Sequence, residues 1–248
     1  MEAQKAIGIV LRTVEFSETS LVVTMFTREH GKIGALAKGA RRLKGPFESA
    51  IDLLAVCRIV FLRKSFETLD ILTEAKLERR FRTAGRDLSS LYAAYYVIEL
   101  LDGLTEQYEP QADLYDLAEE TLLGLSAGEP VARWVLRFEL GTLRILGHMP
   151  LLHACVGCGC EVPIKGRVAF GHLDGGVLCT SCRAGKQHVA SVDAGTLRVM
   201  DQLAQRESKI WQRLGITPTA QGQIRGLMNR YISHLMGRRP RMQAWLKS

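Results

Sequence analysis

Two pairs of cysteines constrain this chain more than any other feature of its sequence. Cys155 and Cys158 form one Cys-x-x-Cys pair, and Cys179 and Cys182 form a second, with positions 159–178 between the pairs. A two-residue gap lets both thiolates of a pair reach one ion, and two pairs complete a closed tetrahedral site. The spacing therefore predicts one structural Zn²⁺, with no open coordination position for catalysis.

Other uses of these cysteines stay open on the sequence alone, namely two disulfides or a redox-active pair. The segment Met1–Val10 includes two charges and lacks the apolar core of a secretory signal. We therefore expect a reducing cytoplasmic location, which disfavours disulfides. His153 and His172 could each replace a thiolate. Cys160 is interpreted as a spare thiol, because a Cys-x-x-Cys pair closes on an ion more easily than the pair Cys158-x-Cys160 does. Cys57 is interpreted as a buried small hydrophobe.

The amino-terminal part of the chain, 1–82, is typical of short strands separated by turns. Ile7, Ile9 and Leu11 alternate with other residues, as in a half-buried strand. Five such runs occur, at about residues 5–14, 21–27, 32–38, 52–63 and 67–74. A small closed barrel protects strand edges, and the five-stranded oligonucleotide-binding (OB) barrel fits this count and length.

Beyond residue 82 the apolar period changes from 2 to 3.6, which predicts helices. One is expected over 87–107 with Leu88, Leu91, Tyr92, Tyr95, Ile98 and Leu101 inward; others are expected around 114–125, 131–146, 191–205 and 217–237. A β-hairpin is expected between the cysteine pairs. The predicted fold is α+β, with an OB barrel at 1–82 for DNA binding and a helical domain at 83–248 containing a zinc-binding insertion at about 151–190.

Charge is distributed unevenly along the chain. Residues 1–83 contain 15 Lys and Arg against 10 Asp and Glu, and residues 183–248 contain 12 against 3. Residues 84–130 contain one Lys or Arg against 10 Asp and Glu. Two basic ends around an acidic middle indicate an anionic partner, nucleic acid first and an anionic membrane second.

The sequence lacks the common catalytic motifs. It contains no Gly-x-x-x-x-Gly-Lys-Ser/Thr loop, no Gly-x-Gly-x-x-Gly and no His-Glu-x-x-His. The six histidines are scattered singly, and the central acids follow helix-surface positions. We therefore expect a binding protein without catalytic residues or a small-molecule substrate.

Several short segments, in this order, resemble the RecO family of bacterial recombination mediators over essentially the whole chain. They are Ser17–Ser20, Phe26–Thr27, His30–Lys32, Ala37–Arg42, Phe138–Leu140, Leu146–Gly147, the four cysteines and Gly237–Arg239. The resemblance implies a non-enzymatic role in DNA repair in the bacterial cytoplasm, on the nucleoid. Proteins of this family bind single- and double-stranded DNA, anneal complementary strands and, with RecR, help RecA load onto DNA coated by single-strand binding protein.

The resemblance also implies site residues. Lys38, Arg41 and Arg42 correspond to DNA contacts of the barrel, with Arg12 and Lys44 as further candidates. Arg137 is our choice for the acidic carboxy-terminal tail of single-strand binding protein, since a guanidinium can bind a carboxylate through two hydrogen bonds.

Two other classes of function are compatible with parts of the sequence. A zinc-ribbon adaptor would bind proteins, with incidental DNA binding. A nuclease would use the central acids with a metal, although these acids form no clustered motif.

Overall fold

The computed structural model describes residues 2–42, 47, 50–64, 68–85, 87–205 and 210–246. The chain forms two compact units, Met1–Glu129 and Pro130–Ser248. Two helices therefore group with the strands of the first unit. The predicted boundary after residue 82 lies between the last strand of this unit and its first helix. That this boundary separates two functional domains stays a prediction.

Five strands of the first unit close into a barrel in the order β1-β2-β3-β5-β4. Their bounds are β1 Ala3–Glu15, β2 Leu21–Thr27, β3 Gly31–Ala37, β4 Val56–Leu62 and β5 Asp70–Arg79. Neighbouring strands are antiparallel, except that β3 and β5 are parallel. The predicted α+β fold with a five-stranded barrel is confirmed, although β5 starts and ends later than expected.

Alternate residues of the strands fill the barrel, as their period of 2 requires. Val10, Met25, Ile33, Ile59 and Leu72 are all at most 2% exposed. The register between β1 and β2 shifts between Val10 and Arg12, as at a β-bulge. A bulge adds a residue to one strand and changes which face the following side chains occupy.

Helices α1 (Leu88–Leu104) and α2 (Ala112–Ser126) complete the first unit. Asp87 caps α1 by accepting hydrogen bonds from the N–H groups of Ser89 and Ser90. The predicted inward face of α1 was partly wrong, because Leu88 is 58% exposed whereas Tyr96 is fully buried. The reason is tertiary: α1 contacts both β1 and α2, so more than one of its faces is covered.

The second unit contains helices α3 (Val131–Ile145), α4 (Ala194–Ala204), α5 (Ile210–Arg213) and α6 (Pro218–Leu235), and a 3₁₀ helix at Met242–Trp245. Helix α3 packs against α4 and α6. Thr217 caps α6 through the N–H of Ala220, with Pro218 in the first turn as predicted. No helix in the described part of the chain combines the length and apolarity needed to cross a bilayer.

A three-stranded antiparallel sheet lies between α3 and α4 in the sequence. It has the order β7-β6-β8, with β6 at Arg167–Gly171, β7 at Gly176–Leu178 and β8 at Val189–Asp193. The predicted hairpin corresponds to β6 and β7 and is confirmed. The helix predicted within 191–205 corresponds to α4, whose N-cap is Asp193, and Ser191 at the edge of that range pairs with Ala169 in this sheet.

Candidate nucleic-acid interface and metal centre

Part of the barrel surface that OB folds use for oligonucleotides is covered here. That surface is the outer face of the second and third strands. Phe26 on β2 is fully buried and stacks on Tyr115 of α2, with ring centroids 6.5 Å apart. Arg28 forms an ion pair of 2.8 Å with Asp116. The end of this face next to the β2–β3 turn is therefore closed by the first unit's own helices.

The opposite end of the same face is open. Cross-strand partners share a face, and Val14 pairs with Val22, which pairs with Leu36. Val14 is 42% exposed, and Phe16, in the β1–β2 turn, is 64% exposed. Aromatic rings serve OB folds as platforms for bases; Phe26 and Phe47 are core residues here, whereas Phe16 is accessible.

Four predicted DNA contacts lie at this open end and are called the cationic rim: Arg12, Lys38, Arg41 and Arg42. Arg12 pairs with Thr24 just after the bulge, so it faces outward. Gly39 has φ +75°, and the turn it begins is closed by the N–H of Arg42 donating to Gly39 O at 3.1 Å. Lys44 lies outside the described residues.

The rim is held against the β1–β2 turn. The Arg41 N–H donates to Thr19 O at 3.1 Å, and its guanidinium lies 3.1 Å from a Glu15 carboxylate oxygen. Arg12, Lys38 and Arg42 are exposed and have no ion-pair partner among the described residues. The structure thus brings β1, the β1–β2 turn and the segment after β3 into one positively charged surface.

A second surface of the barrel is a groove of about 820 Å³ along β1, β4 and β5. Lys5, Arg58 and Lys76 line it together with Glu29 and Glu74. The mixed charges partly cancel, and Arg58 is also paired with Glu78 at 3.0 Å. This groove is therefore a weaker candidate for phosphate binding than the cationic rim.

Five cysteines, not four, converge beside the hairpin. The sulfurs of Cys155, Cys158, Cys160 and Cys179 all lie within 4.8 Å of one another. Cys158 Sγ is 3.4 Å from Cys160 Sγ and 3.8 Å from Cys179 Sγ. Zn–S bonds of about 2.3 Å give sulfur–sulfur edges of about 3.8 Å in a tetrahedron. These four sulfurs could therefore hold a metal ion.

Cys182 approaches the same cluster from the second pair. Its thiol contacts the thiols of Cys158, Cys179 and Cys155. A Cβ added to Gly157 would lie 3.2 Å from Cys182 Sγ, so only glycine fits between the two knuckles here without a shift. The assignment of Cys182 as the fourth ligand stays a prediction beside Cys160.

The pKa values of the thiols move apart where the sulfurs lie so close together. Backbone N–H groups, Cys179's first, lower the pKa of Cys155 to about 6. The pKa of Cys160 and the pKa of Cys182 are each raised to about 12, and the largest cause in both cases is the neighbouring thiol of Cys158. Sulfurs this close cannot all ionise without a cation among them, and a thiophilic ion supplies that charge.

The other predicted candidates lie away from this cluster. His153 is 3.9 Å from Asp201, His172 contacts Arg230 at 3.1 Å, and Cys57 is fully buried in the barrel as predicted. Arg137 is 3% exposed, and its Nη1 donates to Leu203 O at 2.5 Å.

One feature was missed by reasoning from the sequence. Cys160 lies only two positions after Cys158, which indicates that its thiol can join the cluster, but Cys160 was interpreted from the sequence as a spare thiol.

Comparison with known proteins gives matches over both halves of the chain. A family model described as "Recombination protein O N terminal" matches residues 1–81, and one described as "Recombination protein O C terminal" matches 85–243. The chain is 41% identical to DNA repair protein RecO of Rhodopirellula baltica, over 96% of this chain and 97% of that one. It is 32% identical to the protein of that name from Moorella thermoacetica, over 98% of this chain and 90% of that one. It is 33% identical to DNA repair protein RecO of Myxococcus xanthus, over 96% of this chain and 95% of that one.

Proposed function

Because this chain belongs to the recombination protein O family, we propose that it is a non-enzymatic mediator of DNA repair and recombination. In this proposal it binds single- and double-stranded DNA and promotes annealing of complementary strands. Together with RecR, it helps RecA load onto DNA coated by single-strand binding protein. It acts in the bacterial cytoplasm on nucleoid DNA.

The observation that carries the proposal is the cationic rim. Annealing requires the repulsion between two phosphate backbones to be reduced without reading their sequence. Exposed Lys and Arg do this by displacing condensed counterions from the phosphates. Three of the four rim cations have no ion-pair partner among the described residues, so they are available to phosphates.

A salt titration tests the rim as the DNA surface. We expect fluorescence anisotropy with labelled oligonucleotides to give a steep fall of affinity with salt, similar for all sequences. Replacing Arg41 and Arg42 by Ala should make the log–log slope shallower by about 2 units. The control is the double variant Arg28→Ala with Arg79→Ala, which removes two ion-paired cations of the same unit that belong neither to the rim nor to the groove. An unchanged slope in the rim variant would move the DNA site elsewhere.

An annealing assay tests the mediator role itself. Complementary strands coated with single-strand binding protein should anneal faster with the protein than without it. The Arg41/Arg42 variant should lose most of this acceleration, because the same cations screen the phosphates. Metal-dependent cleavage of the labelled strands, or no acceleration by the unaltered protein, would overturn the proposal.

We propose that the cysteine cluster holds one structural Zn²⁺, with Cys155, Cys158, Cys179 and Cys182 as ligands and Cys160 as the alternative fourth. When bound, the ion links the two knuckles and stabilises the fold around them. A complete shell of four thiolates leaves no site for an activated water, which agrees with a binding role.

Partner contacts form the last part of the proposal. The partners are RecR and the acidic tail of single-strand binding protein. Arg137 stays a prediction for the tail. Its guanidinium lies against Leu203 and over the ring of Trp211, at 5.4 Å from the ring centroid. A carboxylate would reach it only after these side chains open.

A further inference from the structure

The second unit contains a basic cleft away from the cysteine cluster, with a volume of about 670 Å³. Its lining has no carboxylate among the described residues and consists of His172, Leu173, His188, Asn229, Arg230, Ser233, Arg239 and Gln243. The cationic and polar side chains come from the β6–β7 segment, the turn before β8, helix α6 and the residues after it. Sequence reasoning treated these histidines as isolated, and only the fold brings them together.

His172 is the buried member of the cleft. It is 6% exposed, and its Nε2 lies 3.1 Å from Arg230 Nη1. Because arginine can only donate, Nε2 must accept, and the ring proton is then on Nδ1. Nδ1 has no hydrogen-bond partner in the part of the chain that the structure describes. The cleft thus contains a buried donor that lacks an acceptor.

Hydrogen bonds within the cleft occupy the side-chain carbonyl oxygens of Gln243 and Asn229, while Ser233 and Gln243 themselves donate to Asn229 O. Gln243 Oε1 accepts from Arg239 Nε at 2.8 Å. Asn229 Oδ1 accepts from Arg225 at 2.9 Å, which leaves the Asn229 amide N–H groups as donors. Burial, and then the charges of Arg230 and His188, lower the pKa of His172. Arg230, Arg239 and the Asn229 amide therefore present donors to the cleft in an electropositive setting.

We propose that this cleft binds a phosphate monoester group. A phosphate dianion has acceptor oxygens in several directions, so it can accept from Arg230, Arg239 and the Asn229 amide together, beside the buried ring of His172. A carboxylate is planar and is best matched by one guanidinium fork, whereas here the donors come from separate elements. The volume lies within the range of clefts that bind small molecules. The phosphate could belong to a free small molecule or to the 5′ end of a DNA strand.

The test uses the full chain and does not depend on DNA binding by the barrel or on the metal. Inorganic phosphate is titrated while the histidine ring signals are followed by NMR and the affinity by calorimetry. We expect the His172 signals to shift on binding. Arg230→Gln and Arg239→Gln should each weaken binding roughly tenfold, as the loss of a charge-assisted hydrogen bond does. Arg213→Gln, an exposed cation of the same unit, is the matched control and should leave binding unchanged.

Dinucleotides distinguish the two sources of the phosphate. If a 5′-phosphorylated dinucleotide binds more tightly than inorganic phosphate and its 5′-hydroxyl form does not bind, the cleft takes the end of a strand. If both phosphate compounds bind equally, the phosphate group alone is recognised. A His172 signal that phosphate leaves unshifted would overturn the proposal. So would a shift produced only by a peptide rich in Asp and Glu, or an equal loss in the Arg213 control.

Discussion

Gly31 shows how one missing side chain decides a contact within the first unit. A Cβ at this position would lie 2.0 Å from Glu109 O, and the backbone there has φ +67°. The close approach lets the N–H of Tyr108 donate to Lys32 O at 2.9 Å, which ties the segment after α1 to β3. Glycine is required here for space as well as for conformation.

We therefore predict that Gly31→Ala lowers the free energy of unfolding by about 3 kcal/mol or more. Urea denaturation followed by circular dichroism measures this change. Gly85→Ala is the matched control, because Gly85 has φ +71° but nothing within 4 Å of an added Cβ. It should cost only the conformational penalty of roughly 1–2 kcal/mol. Equal losses in both variants would show that the approach to Glu109 is unimportant.

Phe16 is the second residue whose position has a testable consequence. It is 64% exposed next to the cationic rim. A base stacked on an aromatic ring contributes about 1–3 kcal/mol, without dependence on salt. We expect Phe16→Ala to weaken single-stranded DNA binding by an amount in that range while leaving the salt slope unchanged.

Anisotropy titrations at several salt concentrations measure both quantities for Phe16→Ala. Leu88→Ala removes an equally exposed apolar side chain on α1 and should change neither. A shallower slope without loss of affinity at low salt would show that Phe16 acts through the charges rather than through stacking.

At the scale of elements, the two knuckles present more thiols than a tetrahedral ion uses. Cys155, Cys158 and Cys179 belong to both possible sets of four, and Cys160 or Cys182 completes the set. Loss of either Cys160 or Cys182 then leaves a complete set of four thiols without rebuilding the sheet beside it. Such redundancy is absent from a site with only four thiols.

We predict that Cys160→Ser and Cys182→Ser each retain one metal ion per chain, and that the double variant loses tight binding. Elemental analysis gives the stoichiometry, and the absorption of the Co²⁺-substituted proteins reports the number of thiolates. Cys158→Ser serves as the comparison, because Cys158 is common to both sets. If Cys182→Ser alone loses the metal as Cys158→Ser does, Cys160 is a spare thiol, as first interpreted.

At the scale of the whole molecule, the chain consists of two compact units with different means of stabilisation. The first is a closed barrel whose interior is apolar. The second contains the cysteine cluster and a buried ion pair of 2.7 Å between Glu139 and Arg225. A small sheet such as β6–β8 buries little apolar surface, so a metal ion should contribute much of its stability.

Removing the metal with a chelator should therefore affect the two units differently. We expect amide hydrogen exchange to rise across residues 151–193 and to stay low in the barrel strands. DNA binding through the cationic rim should persist in the metal-free protein. The metal-replete protein in the same buffer is the reference. Equal loss of protection in the barrel would contradict an independent role for the two units.

Much of the architecture could be predicted from local patterns. The alternation over the amino-terminal range 1–82 indicated five strands, and the spacing of the cysteine pairs indicated a metal cluster, because both depend only on neighbours in the sequence. Helix α4 was predicted within 191–205, but the pairing of Ser191 in a sheet could not be predicted, since it depends on Ala169, which belongs to a different strand.

The chain's own sequence determined its strands, its helices, the cysteines of its cluster as a group and the sign of its charge. Tertiary structure alone decided that Phe26 is covered and Phe16 exposed, that Cys160 lies 3.4 Å from Cys158, and that His172 meets Arg230. The physical reason is that periodicity and spacing act through the local backbone. Burial and the convergence of side chains depend on which distant segments pack together, and no local pattern contains that information.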